Sequence, residues 1–157
     1  MTPVNAVEVS SGGRRLRIRR ATPEEHAAIA AMVLAIALEP FGSELIPQNR
    51  ISEEDWSRSW LAICDGDMAG VVLTNGEWIG DLWIRREYRN HGIGKALLLR
   101  GESEIVARGH RNFRLRVVKS NTKAVDFYRH LGWHIEREFP HETMPATMLE
   151  MSKPAAN

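Results

Sequence analysis

The stretch that decides the fold reads LWIRREYRNHGIGKALLL over residues 82–99. An apolar segment, typical of a buried strand, leads into a basic turn with two glycines, and an apolar helical pattern follows. Gly92 and Gly94 lack the Cβ atoms that would keep a ligand away from the backbone. The first N–H groups of the helix can therefore bind phosphate oxygens, helped by the helix dipole, and Arg89 adds a charged donor.

A second informative segment reads NTKAVDFYRHLGW over residues 121–133. It predicts a short helix with a polar start and a glycine stop at Gly132. Two glycines in a turn are weak evidence alone, because tight turns use them for steric reasons. Together, however, the two segments resemble the GNAT family of acyl-CoA-dependent N-acetyltransferases. That family has R/Q-x-x-G-x-G/A at the CoA pyrophosphate and N-x-x-A-x-x-F-Y-x-x-x-G-F one strand later; here Trp133 replaces the last Phe.

The resemblance implies acetyl-CoA as co-substrate and direct attack of a primary amine on the thioester in a ternary complex. Tyr128 matches the family's tyrosine near the CoA sulfur and is the expected acid for the leaving thiolate, although packing against Phe127 is an alternative role. Asn121 is expected to bond to the cofactor, to cap its helix, or both. The implied cofactor contacts are Leu82, Trp83, Ile84, Arg89, Asn90, His91, Gly92, Ile93, Gly94, Lys95, Asn121 and Tyr128.

Two carboxylates are candidates for the general base. Glu77 and Asp81 lie on the strand that the resemblance directs toward the acceptor, and residues four apart on a strand share a face. Each is alternatively an ordinary turn or edge residue, and His134 and His141 are the next candidates. Family members that modify protein N-termini often carry Glu on the fifth strand, where this chain has Arg116, which argues against that subgroup.

Composition bounds the class of protein. The chain has 157 residues, 43% hydrophobic and 26% charged, which fits one globular domain. No apolar run is long enough to span a membrane and no signal-type segment begins the chain, so the cytoplasm is the expected compartment. The six histidines and the lone Cys64 show no metal-ligand spacing, and no metal is expected. Between Arg85 and Arg129, twelve Lys or Arg face four Asp or Glu, a surplus suited to the phosphates of CoA.

Periodicity predicts an α/β fold. Residues 1–13 are expected to be a flexible tail, and residues 14–157 a single domain whose order of elements matches the GNAT fold. That fold implies a mixed, mostly antiparallel sheet of about seven strands with four helices. The predicted strands are 14–20, 61–64, 69–74, 77–84, 113–118, 133–138 and 147–151, and the predicted helices are 22–38, 52–60, 94–108 and 122–130.

Several functions and partners follow as hypotheses. The leading one is an N-acetyltransferase acting on a small-molecule or peptide amine, and the alternative is a catalytically idle acyl-CoA sensor. A dinucleotide-binding module is disfavoured because a third glycine is missing, and nucleic acid because aromatic interleaving is missing. The oligomeric state stays open, including a homodimer. Five acidic residues between the first two predicted helices favour a cationic acceptor, or alternatively only keep an exposed helix soluble. They are Glu39, Glu44, Glu53, Glu54 and Asp55.

Overall fold

The computed structural model describes residues 6–11, 14–39 and 54–156. Within them lie three α-helices, α1 (His26–Ala37), α2 (Ile93–Ala107) and α3 (Thr122–His130). The strands are β1 (Ala6–Ser11), β2 (Arg14–Arg20), β3 (Trp60–Cys64), β4 (Asp67–Asn75), β5 (Trp78–Ile84), β6 (Asn112–Val118), β7 (His134–Pro140) and β8 (Thr147–Pro154). They form one sheet in the order β1-β2-β3-β4-β5-β6-β8-β7.

Strand pairing confirms a mixed, mostly antiparallel sheet. β1 to β4 pair as successive antiparallel neighbours, and β8 pairs antiparallel with both β6 and β7. The parallel pairing joins β5 to β6 at Trp78 opposite Arg114. The sheet has eight strands where about seven were predicted, and the described residues contain three of the four predicted α-helices.

Two predicted elements need correction. The tail predicted over residues 1–13 is wrong for Ala6–Ser11, which forms β1 and pairs with β2 along its whole length. Its alternation of valines with polar residues is a strand pattern that the small, polar composition obscured. The helix predicted over residues 52–60 is also wrong where it is described: Trp56–Arg58 is a single 3-10 turn, and Trp60 already begins β3.

The first of two compact units contains the residues up to Leu73 together with Asp81–Gly101. Its core packs Ile29, Met32 and Val33 of α1 against a group that includes Trp56, Leu61 and Val71. A capping box precedes α1: Glu25 accepts from the Thr22 backbone N–H at 2.9 Å, and its two oxygens bind Arg19 at 2.7 and 2.8 Å. These bonds hold the pKa of Glu25 at about 2.

The second unit contains Thr74–Gly80 and the residues from Glu102 onward. Two buried carboxylates of α2 tie it together. Glu104 accepts from Thr74 Oγ1 at 2.6 Å, and Glu102 accepts from Trp133 Nε1 at 3.2 Å and from Lys153 Nζ at 3.0 Å. Because Glu104 Oε1 and both oxygens of Glu102 have hydrogen-bond donors, the cost of burying these charges is offset.

Candidate active site

A basic turn joins β5 to α2 within the first unit. Its first residue is anchored to β4, since Arg85 donates its backbone N–H to Ala69 O at 2.8 Å and its Nε to Met68 O at 2.7 Å. A 3-10 turn follows at Arg86–Tyr88, and the Tyr88 hydroxyl reaches Asp67 Oδ2 at 3.1 Å. The first half of the turn is therefore tied to β4 by hydrogen bonds.

Two left-handed residues shape the second half of the turn. Gly92 has φ of 80° and Asn90 has φ of 65°. Glycine adopts this region at no steric cost, and asparagine is among the few other residues that tolerate it. The sequence pattern predicted the special role of Gly92, whereas nothing in it predicted the left-handed Asn90.

The start of α2 leaves backbone donors for an anion. The helix begins at Ile93, and Ala96 N is the first to donate back along it, to Gly92 O at 3.1 Å. The amides of Ile93, Gly94 and Lys95 precede that bond, so they have no acceptor within the helix. Three N–H groups at the positive end of a 15-residue helix suit a phosphate.

Arg89 is held by protein partners in this structure. Its Nε donates to Ile84 O at 3.1 Å, and its Nη2 forms an ion pair with Glu39 Oε2 at 3.0 Å. The sequence predicted a phosphate-binding role for Arg89 but not the partner, because Glu39 is fifty residues away along the chain. An incoming phosphate competes with the Glu39 carboxylate for the Nη2 side of this guanidinium.

The end of β5 carries the predicted cofactor strand. Leu82, Trp83 and Ile84 are all half-buried. The Trp83 ring packs against the core of the first unit, and its Nε1 donates to Asp81 Oδ1 at 3.0 Å. Asp81 and Trp83 thus share one face of β5, as residues two apart on a strand do.

Glu77 differs from its predicted placement. It lies in the turn before β5, which begins at Trp78. Because Glu77 lies outside β5, the alternation of side chains along the strand does not place it on the same face as Asp81. Its Oε1 accepts from Arg114 Nε at 3.2 Å, and its backbone oxygen accepts from Arg114 N at 3.0 Å.

The second motif forms α3 as predicted. Asn121 caps the helix, with its Oδ1 accepting from Ala124 N at 3.3 Å. Tyr128 packs edge-on to Phe127 at a centroid distance of 5.3 Å and lies 6.0 Å from Trp133. Gly132, with φ of 94°, ends the helix. Burial raises the pKa of Tyr128 to about 12.

The acids behind the predicted cationic acceptor are partly engaged elsewhere. Glu39 pairs with Arg89, and Asp55 Oδ1 caps the 3-10 turn by accepting from Ser57 N at 3.2 Å. Glu44 and Glu53 lie outside the described residues. Two of the five carboxylates thus have structural partners, which weakens the inference from acidic composition to a cationic acceptor.

The described part of the chain has neither a metal-ligand cluster nor a membrane-spanning helix. No three His, Cys, Asp or Glu side chains in residues 6–11, 14–39 and 54–156 are grouped so that they could hold a metal ion. In the same residues no helix combines the length and apolar character that crossing a membrane requires. Cys64 is a buried, free thiol on β3.

Comparison with known proteins now identifies the class. The fold is similar to the crystal structure of the PaiA N-acetyltransferase from Thermoplasma acidophilum in complex with coenzyme A. The match has a TM-score of 0.67 at 18% identity and covers 88% of this chain and 98% of that one. At this identity the likeness concerns the fold alone. The model of the acetyltransferase (GNAT) family matches residues 23–133, and the chain belongs to this family.

Two curated relatives match over shorter regions. A peptidyl-lysine N-acetyltransferase, YiaC of Escherichia coli K12, is 29% identical over 80 residues, which is 50% of this chain and 51% of the relative. A thialysine N-epsilon-acetyltransferase of Sus scrofa is 36% identical over 55 residues, which is 35% of this chain and 32% of the relative. The chain therefore matches about a third to a half of the length of these relatives.

Proposed function

We propose that this protein transfers an acetyl group from acetyl-CoA to a primary amine by direct attack in a ternary complex. The observation that carries the proposal is the basic turn that ends at a left-handed Gly92, followed by backbone amides at the start of α2 that have no acceptor within the helix. Membership of the acetyltransferase (GNAT) family supports it. So do the relatives named as lysine and thialysine acetyltransferases and the similar fold solved with coenzyme A.

The cofactor is held mainly through the backbone. The amides of Ile93, Gly94 and Lys95 donate to the pyrophosphate, and Asn90 and His91 form the adjoining wall of the turn. Arg89 exchanges the Glu39 carboxylate for a phosphate oxygen. The backbone of Leu82, Trp83 and Ile84, at the far end of β5 from its parallel pairing with β6, meets the pantetheine arm, and Asn121 adds a polar contact.

The chemistry needs a polarised thioester, a deprotonated amine and a proton for the leaving thiolate. A backbone N–H at the end of β5 donates to the thioester oxygen and stabilises the oxyanion as it develops, an effect typically worth about 3 kcal/mol. Tyr128 is the donor to the sulfur. With a pKa of about 12 its hydroxyl stays protonated at every physiological pH. It acts as a hydrogen-bond donor to the departing thiolate, because full proton transfer from the phenol to a thiolate whose conjugate acid has a pKa of about 8.5 is uphill. The CoA leaves as the thiolate and takes its proton from solvent.

Glu77 and Asp81 are the proposed bases for the acceptor ammonium. A carboxylate accepts the proton directly or through one water molecule. Both carboxylates have a hydrogen-bond donor that orients them, Arg114 for Glu77 and the Trp83 indole for Asp81. His134 and His141 are weaker candidates, since the ring Nδ1 of His141 already accepts from the amides of Thr143 and Met144.

The test is an acceptor screen with acetyl-CoA that measures free thiol released and confirms N-acetyl products by mass spectrometry. We expect acetyl transfer to at least one class of amine. The dissociation constant of CoA is measured separately. Tight CoA binding with no transfer to any amine would contradict the proposal and favour the acyl-CoA sensor.

The base assignment has its own test in the Glu77→Gln, Asp81→Asn double variant. We expect the largest loss of kcat/KM at acidic pH, where most of the amine is protonated and a base is most needed. Glu24→Gln is the matched control, because Glu24 is an exposed carboxylate beside α1. A pH profile identical to that of the wild type would place the base elsewhere.

A further inference from the structure

One face of the second unit gathers three arginines. On β6 the residues Phe113, Leu115 and Val117 are buried, so the alternating Arg114 and Arg116 project from the opposite face. Strand register adds the neighbours, with Trp78 opposite Arg114, Glu150 opposite Arg116, and Arg137 opposite Glu150. We call this set the basic face: Trp78, Arg114, Arg116, Arg137, Phe139 and Glu150.

Arg116 is held on the basic face by aromatic rings. Its guanidinium carbon lies 5.0 Å from the centre of the Trp78 ring and 5.4 Å from that of Phe139. Both distances are within the range of cation–π attraction. The side chain is nevertheless 50% exposed. The rings therefore restrict the guanidinium while half of its surface stays open to a ligand.

The carboxylate at the centre of the basic face is already committed to other partners. Glu150 is buried, its Oε2 accepts from Arg114 Nη1 at 3.3 Å, and its Oε1 accepts from Arg137 Nη2 at 3.1 Å. The separation between Arg116 Nε and Glu150 Oε1 is 4.0 Å, which exceeds hydrogen-bond range. Among the described residues, no acceptor is found for the N–H groups of Arg116.

The other acids of the neighbouring strand are also engaged. Glu136 accepts from the Ser152 hydroxyl and contacts His134 Nε2 at 2.9 Å, and Glu138 pairs with Lys119. Arginine presents its donors as a planar fork that matches a carboxylate in two parallel hydrogen bonds. Arg116 thus has the chemistry, the restraint and the exposure to bind a carboxylate that the protein itself does not supply.

We propose that Arg116 binds a carboxylate of the acceptor, so that the acceptor is an amine that also carries a carboxylate, as an amino acid does. The inference rests on the proposed acetyl transfer. Glu77, a proposed base, belongs to the same unit: it binds Arg114 of the basic face, and the next residue, Trp78, holds Arg116. Glu77 and Arg116 therefore belong to the same unit. An acceptor whose ammonium binds Glu77 can place its carboxylate near Arg116. This replaces the expectation of a cationic acceptor.

The first experiment compares acceptors in matched pairs, each amino acid beside its own carboxamide, in the acetyl-transfer assay. The carboxamide is expected to have a KM higher by roughly 10- to 100-fold, the effect of losing charge-assisted hydrogen bonds. Arg116→Gln should raise the KM of the acid by a similar factor, leave kcat within about threefold, and leave the KM of the amide unchanged; Arg116→Lys should recover part of the loss.

The matched control is Arg111→Gln, which removes the same charge from an exposed residue of the second unit outside the basic face. It should change neither KM. Equal KM values for acids and carboxamides, or equal effects of Arg111→Gln and Arg116→Gln, would overturn the inference and leave acetyl transfer intact.

The second experiment does not require turnover. Binding of N-acetylated amino acids, which are the products and keep the carboxylate, is measured by calorimetry beside their carboxamides. The wild type should bind the acids, and Arg116→Gln should weaken this binding by roughly tenfold or more. If no N-acetyl acid binds better than its amide, the inference fails even where no acceptor was found in the first experiment.

Discussion

The basic turn before α2 and the basic face offer hydrogen-bond donors to a charged ligand in two different ways. The turn consists of consecutive residues from Arg85 to Gly92, and the donors that follow it are backbone amides whose direction is set by the start of α2. The basic face takes its members from four strands, and its donors are side chains that rings hold in place. The contrast teaches that a backbone site is encoded locally, whereas a side-chain site depends on strand register.

The two regions also differ in what occupies their arginines. Arg89 of the turn is paired with Glu39, so a ligand has to compete with a protein carboxylate. Arg116 of the basic face contacts rings and has no carboxylate within hydrogen-bond range among the described residues. Arg89 therefore has a closer carboxylate partner, at 3.0 Å, than Arg116, which lies 4.0 Å from Glu150 Oε1.

The largest effect is expected at Gly92. Gly92→Val puts a β-branched residue at φ of 80° and a side chain where a phosphate must approach. The CoA dissociation constant should rise roughly a hundredfold or more, because two or more charge-assisted hydrogen bonds are lost. Gly66→Val is the control, since Gly66 has φ of 88° and open space around it. It should lose similar stability and keep CoA binding. Equal CoA binding by both variants and the wild type would remove the turn from the site.

Tyr128→Phe tests whether the Tyr128 hydroxyl assists departure of the thiolate in addition to packing against its neighbours. We expect kcat to fall about tenfold or more with CoA binding retained, because the ring stays and the donor goes. The loss should be the same from pH 6 to pH 9, since the pKa of about 12 keeps the hydroxyl protonated throughout. Turnover equal to wild type at each pH would leave Tyr128 with its packing role alone.

The free energy of unfolding of the same variant, measured against pH, tests the raised pKa of Tyr128. The folded-state pKa of Tyr128 lies above the ordinary value of 10, so the folded state favours the protonated phenol. Its contribution to stability is complete below pH 10 and is lost as the pH rises towards 12. Tyr128→Phe should therefore show a smaller alkaline loss of stability in that window than the wild type does.

Trp78→Leu tests whether carboxylate binding by Arg116 depends on the aromatic ring beside it. The variant keeps Arg116 but removes one of the two rings beside it, a cation–π contribution of about 0.5–1 kcal/mol at an exposed site. The KM for a carboxylate-bearing acceptor should rise about two- to fivefold, while that of its carboxamide stays constant. A parallel rise for the carboxamide would indicate a general disturbance near Glu77 and not a loss of carboxylate binding.

The smallest effect is expected at the ion pair of the turn. Glu39→Gln frees Arg89 from a partly exposed carboxylate, and such pairs are worth about 0.2–1 kcal/mol. CoA should bind about two- to threefold more tightly at low salt, with the gain shrinking as ionic strength rises. Glu24→Gln, an equal charge change on an exposed residue, should produce no such gain. Weaker binding after Glu39→Gln would mean that the carboxylate positions Arg89 for phosphate.

The sequence predicted the elements whose determinants lie close together along the chain. Most strands and α1 lie within a few residues of their predicted bounds. The features found at their ends are local: a capping box at Thr22–Glu25 and left-handed glycines at Gly66 and Gly76. The two motifs likewise predicted the turn before α2 and the helix after Asn121. Hydrogen bonds in helices, caps and tight turns span only a few residues, so a local pattern is enough to specify them.

Only the tertiary structure decided which distant residues meet. It placed Glu77 in the turn before β5, paired Arg89 with Glu39, and brought Arg116 within cation–π distance of the rings of Trp78 and Phe139. No local pattern indicates these contacts, because each depends on strand register or on helix packing summed over many residues. The class of cofactor could therefore be inferred from consecutive residues. The proposed carboxylate on the acceptor could be inferred only once pairing of β5, β6, β8 and β7 had gathered the basic face.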